Sequence, residues 1–158
     1  MKRLIFLAVT VVAMSTSSFA QIWATATSTN HSNGRVIIFR FVDEFAPSFN
    51  RASQPNRVIL AWKYQSERGM PVLTERQRMD AMEDAMEPIM TKDEFATLAL
   101  VSTGVNLREW TYYVKSESEF MVRLNKALAG QSAFPIEIHT AADPKWTMYE
   151  KFKAGLKK

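Results

Sequence analysis

Residues 58–64 read Val58-Ile59-Leu60-Ala61-Trp62-Lys63-Tyr64. Through Ala61 the run is apolar at odd and even positions alike, as a strand covered on both faces requires, so a central strand is predicted here. Gly69-Met70-Pro71 ends it. Beyond that stop, Thr74 and Gln77 have the spacing of a capping box, and Met79, Met82, Met86 and Ile89 recur every three or four residues, the period of one buried helical stripe. Pro88 disfavours helical backbone at Glu87, so this helix is expected to stop at Met86 or Glu87. Ala96 to Thr103 and Leu107 to Val114 read as strands on either side of a turn at Gly104-Val105-Asn106. Ser116 with Glu119 repeats the capping-box spacing ahead of Phe120, Met121, Leu124 and Leu128, a second helix that Gly130 stops. Pro135 to Thr140 alternates as a last strand. Residues 58–140 therefore give β-α-β-β-α-β, the succession of the ferredoxin-like fold.

Working outward from this centre, Ile22 to Thr29 is rich in β-branched residues, and Asn33-Gly34 is a turn signal before the apolar run Val36 to Val42, so a hairpin is added at the N-terminal side. At the other end Asp143-Pro144 supplies N-cap and first-turn residues for a third helix carrying Trp146, Tyr149, Phe152 and Leu156. The expected order is β-β-β-α-β-β-α-β-α. The fold class is α+β: a mainly antiparallel sheet with helices on one face, a ferredoxin-like centre, an added N-terminal hairpin and a C-terminal helix.

Lys2 and Arg3 precede an apolar run from Leu4 to Met14 and the small-residue stretch Ser15 to Ala20, the pattern of a secretory signal peptide cleaved near Ala20. Residues 21–158 are then one domain, expected in the periplasm or outside the cell. The leader's apolar run is far shorter than the ~20 residues a spanning helix needs, and no membrane span is expected elsewhere. With no cysteine in the chain, disulfides and thiol chemistry are excluded. Loss of Lys2 and Arg3 lowers the net charge from +4 to +2, so nothing in the total favours nucleic acid. The expected state is a monomer or weak dimer.

Candidate sites are weighed against packing. On the strand at 58–64, Leu60, Trp62 and Tyr64 share a face, and on the strand at 107–114 Arg108, Trp110, Tyr112 and Val114 do. Adjacent in a sheet, they would build an aromatic surface that either binds a planar ligand or is core. Residues 43–55 form a long loop holding Phe45, Phe49 and Arg51, a second candidate surface. The binding set is thus Trp62, Tyr64, Trp110 and Tyr112, with Arg40 or Arg108 orienting an anionic group and Phe45 or Phe49 closing over it. Asp80, Glu83, Asp84 and Glu87 fall on one helical arc, a solvated face or an attractor of calcium or a basic partner. Met70, Met79, Met82, Met86 and Met90 are either core or a soft-metal group. Glu83 or Asp84 beside Tyr112 or Tyr113 would be the acid–base pair of an enzyme. His31 and His139 lack metal-ligand spacing to a partner, and neither a nucleophile elbow nor a phosphate loop is present, so no cofactor is implied.

Trp62-Lys63-Tyr64, Gly69-Met70-Pro71, Glu83-Asp84, Arg108 to Tyr113 and Asp143 to Tyr149, in this order and spacing, resemble the bacterial domain-of-unknown-function 695 family. The resemblance spans nearly all of residues 21–158. It implies an α+β domain similar in layout to a regulator of ribonuclease activity known as protein B, and it brings no catalytic residues. The function expected is that of an exported, non-catalytic binding or interaction module for a small molecule or envelope protein. A small envelope enzyme and a metal-handling protein are the competing expectations.

Overall fold

The stretch from Val58 to Lys63 lies inside a strand, β3 (Asn56–Lys63), that is bonded on both sides, and Tyr64 follows directly after it. A computed structural model describes residues 20–156. The leader read over residues 1–20 lies outside them except for Ala20, as do Lys157 and Lys158. Along the chain come β1 (Ile22–Thr29), β2 (Val36–Glu44), β3, α1 (Leu73–Met90), β4 (Ala96–Gly104), β5 (Leu107–Val114), α2 (Glu117–Ala127), β6 (Ile136–Ala142) and α3 (Thr147–Gly155). This is the order the sequence predicts. The six strands form one sheet, β1-β2-β4-β5-β3-β6, in which every neighbouring pair is antiparallel. The strands β4-β5-β3-β6, with α1 and α2, are compatible with a ferredoxin-like layout.

Strand parity places Val58, Leu60 and Trp62 of β3 and Trp110, Tyr112 and Val114 of β5 on one face, where Met79, Met82, Met86 and Met90 of α1 and Phe120 and Leu124 of α2 bury them. This core draws side chains from β3, β4, β5 and β6 and none from β1 or β2. On this face the hairpin therefore extends the sheet beyond the cover of α1 and α2. It is joined to β4 through the register from Ile37↔Gly104 to Phe41↔Leu100. At that seam a Cβ on Gly104, whose φ is +151°, would stand 2.2 Å from the Val36 carbonyl oxygen, so only glycine lets the strands close.

The third helix departs from the one-face expectation. A bulge between Leu98 and Leu100 leaves Ala99 unpaired on the reverse face, where it packs with Tyr113, Trp146 and Tyr149, and shifts the alternation so that Val101 rather than Leu100 enters the core. There α3 covers the sheet: Trp146 stacks on Tyr113 with ring centroids 3.9 Å apart, and Phe152 meets Phe39 and Phe41. The residue at the helix entrance, Trp146, is left-handed at φ +54°, a conformation rare outside glycine. Its stacking and the bonds from its indole N–H to the carbonyls of Gln54 (3.0 Å) and Arg51 (3.2 Å) hold it there. Asp143 lies too far upstream to be the N-cap itself, yet its carboxylate accepts from the amides of Thr147 (2.7 Å) and Met148 (3.1 Å) and so caps the helix from a distance.

Two local expectations are corrected at α1. The helix runs through Pro88 to Met90, because an exposed proline near the C-terminus removes only one backbone donor while the extra turn buries Met90 completely. Thr74 and Gln77 form no capping box. The N-cap is Val72, which has no side-chain cap, and Thr74 falls inside the first turn. At α2 half of the expected capping box forms: Ser116 Oγ accepts from the Glu119 amide at 3.3 Å, while the Glu119 carboxylate accepts from Arg123 Nε instead.

Candidate functional site

Because β1 and β2 project past α1 and α2, a groove runs between the acidic flank of α1 and the sheet face of the hairpin. Its volume is about 420 Å³, and its lining includes Trp23 of β1, Arg40 of β2, Glu83, Asp84 and Glu87 of α1, and Tyr112 of β5. A shallower depression bounded by Arg40, Asp80, Glu83, Asp84 and Arg108 shares three of those residues and continues the groove along the helix.

Glu83 is the pivot. Its Oε2 accepts from the indole N–H of Trp110 (2.7 Å) and from Arg108 Nη2 (3.2 Å), while Oε1 accepts, among the described residues, from Arg40 Nη2 alone. Arg108 also donates to Asp80 Oδ1 at 2.9 Å and lies 4.9 Å over the Trp110 ring. One carboxylate oxygen thus serves the interior and the other faces the groove. The Arg40 guanidinium is also 5.2 Å from the centroid of Trp23, which is 38% exposed. Asp84, Glu87 and Glu94 line the same groove and form no ion pair among the described residues. One arginine in the main groove faces four carboxylates.

Tyr112 is 2% exposed, and its hydroxyl makes no hydrogen bond among the described residues. The buried side-chain atoms sealed without a partner are others, Gln54 Oε1 and Arg108 Nε, whereas the Tyr112 hydroxyl lines the groove. Burial pushes the Tyr112 phenol well above its ordinary pKa, and the Glu83 carboxylate adds to the rise against the opposing charge of Arg40. It is a neutral hydroxyl that can donate one hydrogen bond and accept others.

The eight residues of the predicted binding set are dispersed. Trp62 and Trp110 are fully buried under α1, their indole N–H groups bonded to Glu75 (2.6 Å) and Glu83 (2.7 Å), so they are core rather than an open platform. Tyr64 is core as well, its hydroxyl bonded to the Gly69 carbonyl at 2.8 Å. Phe45 is on the reverse side against Trp146 and Tyr149, stacked with Phe49. The 43–55 loop is pinned there by Arg51, which pairs with Glu150. Phe49 also reaches the rim of the groove, and Arg40 and Tyr112 line it, with Arg108 at its far end. The groove thus brings together Arg40, Tyr112, Arg108 and Phe49, and it adds Trp23, which the sequence pattern did not single out. Parity was the available signal: Trp23 pairs with Val42, two residues from Arg40 on the same face.

The acid–base and metal-binding candidates are likewise split between locations. Glu83, Asp84 and Tyr112 share the groove, but Tyr113 points to the opposite face and donates to Asp143 at 2.8 Å. The thioethers of Met79, Met82, Met86 and Met90 are fully buried in the core, away from half-buried Met70. Among the described residues no group of three or more histidines or carboxylates has the arrangement to hold a metal ion, and His31 and His139 stand apart in the hairpin turn and on β6. Nor is any described helix long and apolar enough to cross a membrane.

The family model that matches this chain is that of a family of unknown function, DUF695, and the match covers residues 21–153. The chain belongs to DUF695. The matched span of this DUF695 chain contains β1 through most of α3, and so every residue of the groove. Comparison with curated proteins gives no match.

Proposed function

We propose that this DUF695 chain is an exported, non-catalytic binding module that takes a small molecule, or a side chain of an envelope protein, in the groove between α1 and the β1–β2 hairpin. The observation that carries this reading is Tyr112: a residue 2% exposed overall, whose hydroxyl has no partner among the described residues, on the lining of a concave site of ligand size. A ligand atom bonded to it would satisfy the group that the fold leaves open. Exposed Trp23 supplies an apolar wall, and Arg40 and the α1 carboxylates fix polarity. The excess of carboxylates over arginine works against a polyanion such as nucleic acid. Export rests on the leader at residues 1–20. A non-catalytic role is supported by Glu83, whose carboxylate is already occupied by Trp110, Arg108 and Arg40, and by Tyr112, whose raised pKa keeps it from acting as a base near neutrality.

A fragment screen by ¹⁵N-resolved NMR, run on residues 21–158 and on the Tyr112→Phe variant, tests the site. Binders are expected to shift the Trp23 and Trp110 indole resonances and to weaken in the variant while its fold is retained. Hits that map elsewhere, or that bind the variant equally well, would remove the groove from consideration.

A further inference from the structure

We infer that the group this groove receives is a protonated amine or guanidinium, and that Arg40 occupies its place in the unliganded chain. This rests on the groove being the binding site and adds the chemistry of what enters it. Glu83 divides its work between two oxygens: Oε2 is held by Trp110 and Arg108, but Oε1 has Arg40 as its one partner among the described residues. On its other side the Arg40 guanidinium meets the Trp23 ring, so a cation is already clasped between an aromatic face and a carboxylate. The Arg40 side chain is 40% exposed and can turn to water, which frees both partners together. Around that position Asp84 and Glu87 line the groove without partners among the described residues, and the Tyr112 hydroxyl offers a lone pair to an N–H donor. An incoming anion would meet a surplus of negative charge at short range; a cation meets an aromatic wall, a half-free carboxylate and an unpartnered hydroxyl. The Tyr112 hydroxyl is the observation independent of charge, for an acidic helix flank alone would be only a solvated face.

The test is titration of residues 21–158 with agmatine, with a blocked arginine tripeptide and with citrate, followed by the indole resonances and by Trp fluorescence. Agmatine or the tripeptide is expected to shift Trp23 and the groove amides. Preference for agmatine would assign its ammonium end, which the tripeptide lacks, and equal binding the guanidinium that the two probes share. Asp84→Asn with Glu87→Gln, both exposed and outside the core, is expected to weaken the cation about fivefold. Arg40→Ala is expected to tighten it by a similar factor, about fivefold, by removing the internal competitor. If citrate shifts the groove and the cations do not, the cation assignment fails and the groove remains a site. Silence of all three, together with a fragment screen that maps elsewhere, sinks both. Cation binding unchanged by Trp23→Ala would also overturn the assignment, because the clasp requires that ring.

Discussion

Glu83 shows how one side chain can belong to the core and to a site at once. Arg108 is only 9% exposed at its side chain and leaves Nε without a partner, so its charge depends on Glu83 and Asp80. Glu83→Ala is therefore expected to destabilise the fold by about 2–4 kcal/mol in urea unfolding, through a stranded guanidinium and an orphaned Trp110 N–H. Tyr112→Phe is expected to behave in the opposite way. It removes a buried hydroxyl that has no partner among the described residues, so stability should hold within about 0.5 kcal/mol or rise while ligand binding weakens. A loss above about 1.5 kcal/mol would show that the hydroxyl has a structural partner. At this scale the sequence disclosed residue types but not their company. Trp62, Trp110 and Tyr112 share a face by parity, yet whether that face is open depends on where α1 packs, which no spacing within β3 or β5 encodes. Trp23 was missed because its strand is short of charge and its neighbour across the hairpin is set by a loop from Asn30 to Arg35 that is longer than an Asn-Gly turn.

The elements themselves were legible because each carries its own period or punctuation: alternation in β3, β5 and β6, the Met stripe of α1, Ser116 and Gly130 around α2. Where local signals failed, packing won. Pro88 reads as a stop, but burial of Met90 is worth about 2 kcal/mol, enough to extend the helix one turn past a proline that faces water. The bulge at Ala99 leaves no mark in a run of small and apolar residues, and it decides which side chains of β4 meet α3. Gly104 is the position on which the hairpin's attachment turns. Gly104→Ala would press a methyl carbon against the Val36 carbonyl and the Ile37 backbone, and a loss of about 3 kcal/mol is expected, with the β1 and β2 amide resonances broadened first. An unchanged urea midpoint would contradict the packing described at this seam.

Across the whole molecule, the reverse face is closed by a cluster that titrates at both ends of the pH scale. Burial alone would raise the Asp143 carboxyl, but the amide hydrogens of Met148 and Thr147 and the Tyr113 hydroxyl reverse this and hold it below the ordinary carboxylate range. A depressed pKa stabilises the fold above about pH 4 and the benefit is lost as pH falls through the native value, so Asp143→Ala should cost about 2–3 kcal/mol at neutral pH and flatten the acid limb of the stability profile. At the alkaline end all four tyrosines are shifted upward, chiefly by burial, Tyr64 and Tyr149 to about 12. Neutral phenols then favour the fold up to about pH 10, and that contribution is lost as pH climbs through 12. Tyrosinate absorbance should therefore stay low at the pH where a free tyrosine is half ionised and rise together with unfolding. A separate, earlier rise would mean that one ring is open to water.

The hairpin hangs on the sheet by a single seam, since β1 pairs only with β2 and β2 reaches the rest through β4. Amide deuteration should accordingly proceed outside-in, β1 before β2 and β2 before β4, with β5 slowest. A guest that bridges Trp23 to α1 would act as a stitch between an edge strand and the helix that covers the core. Slowed deuteration of β1 on addition of agmatine, with β5 unaltered, would thus register occupancy as a gain in local order.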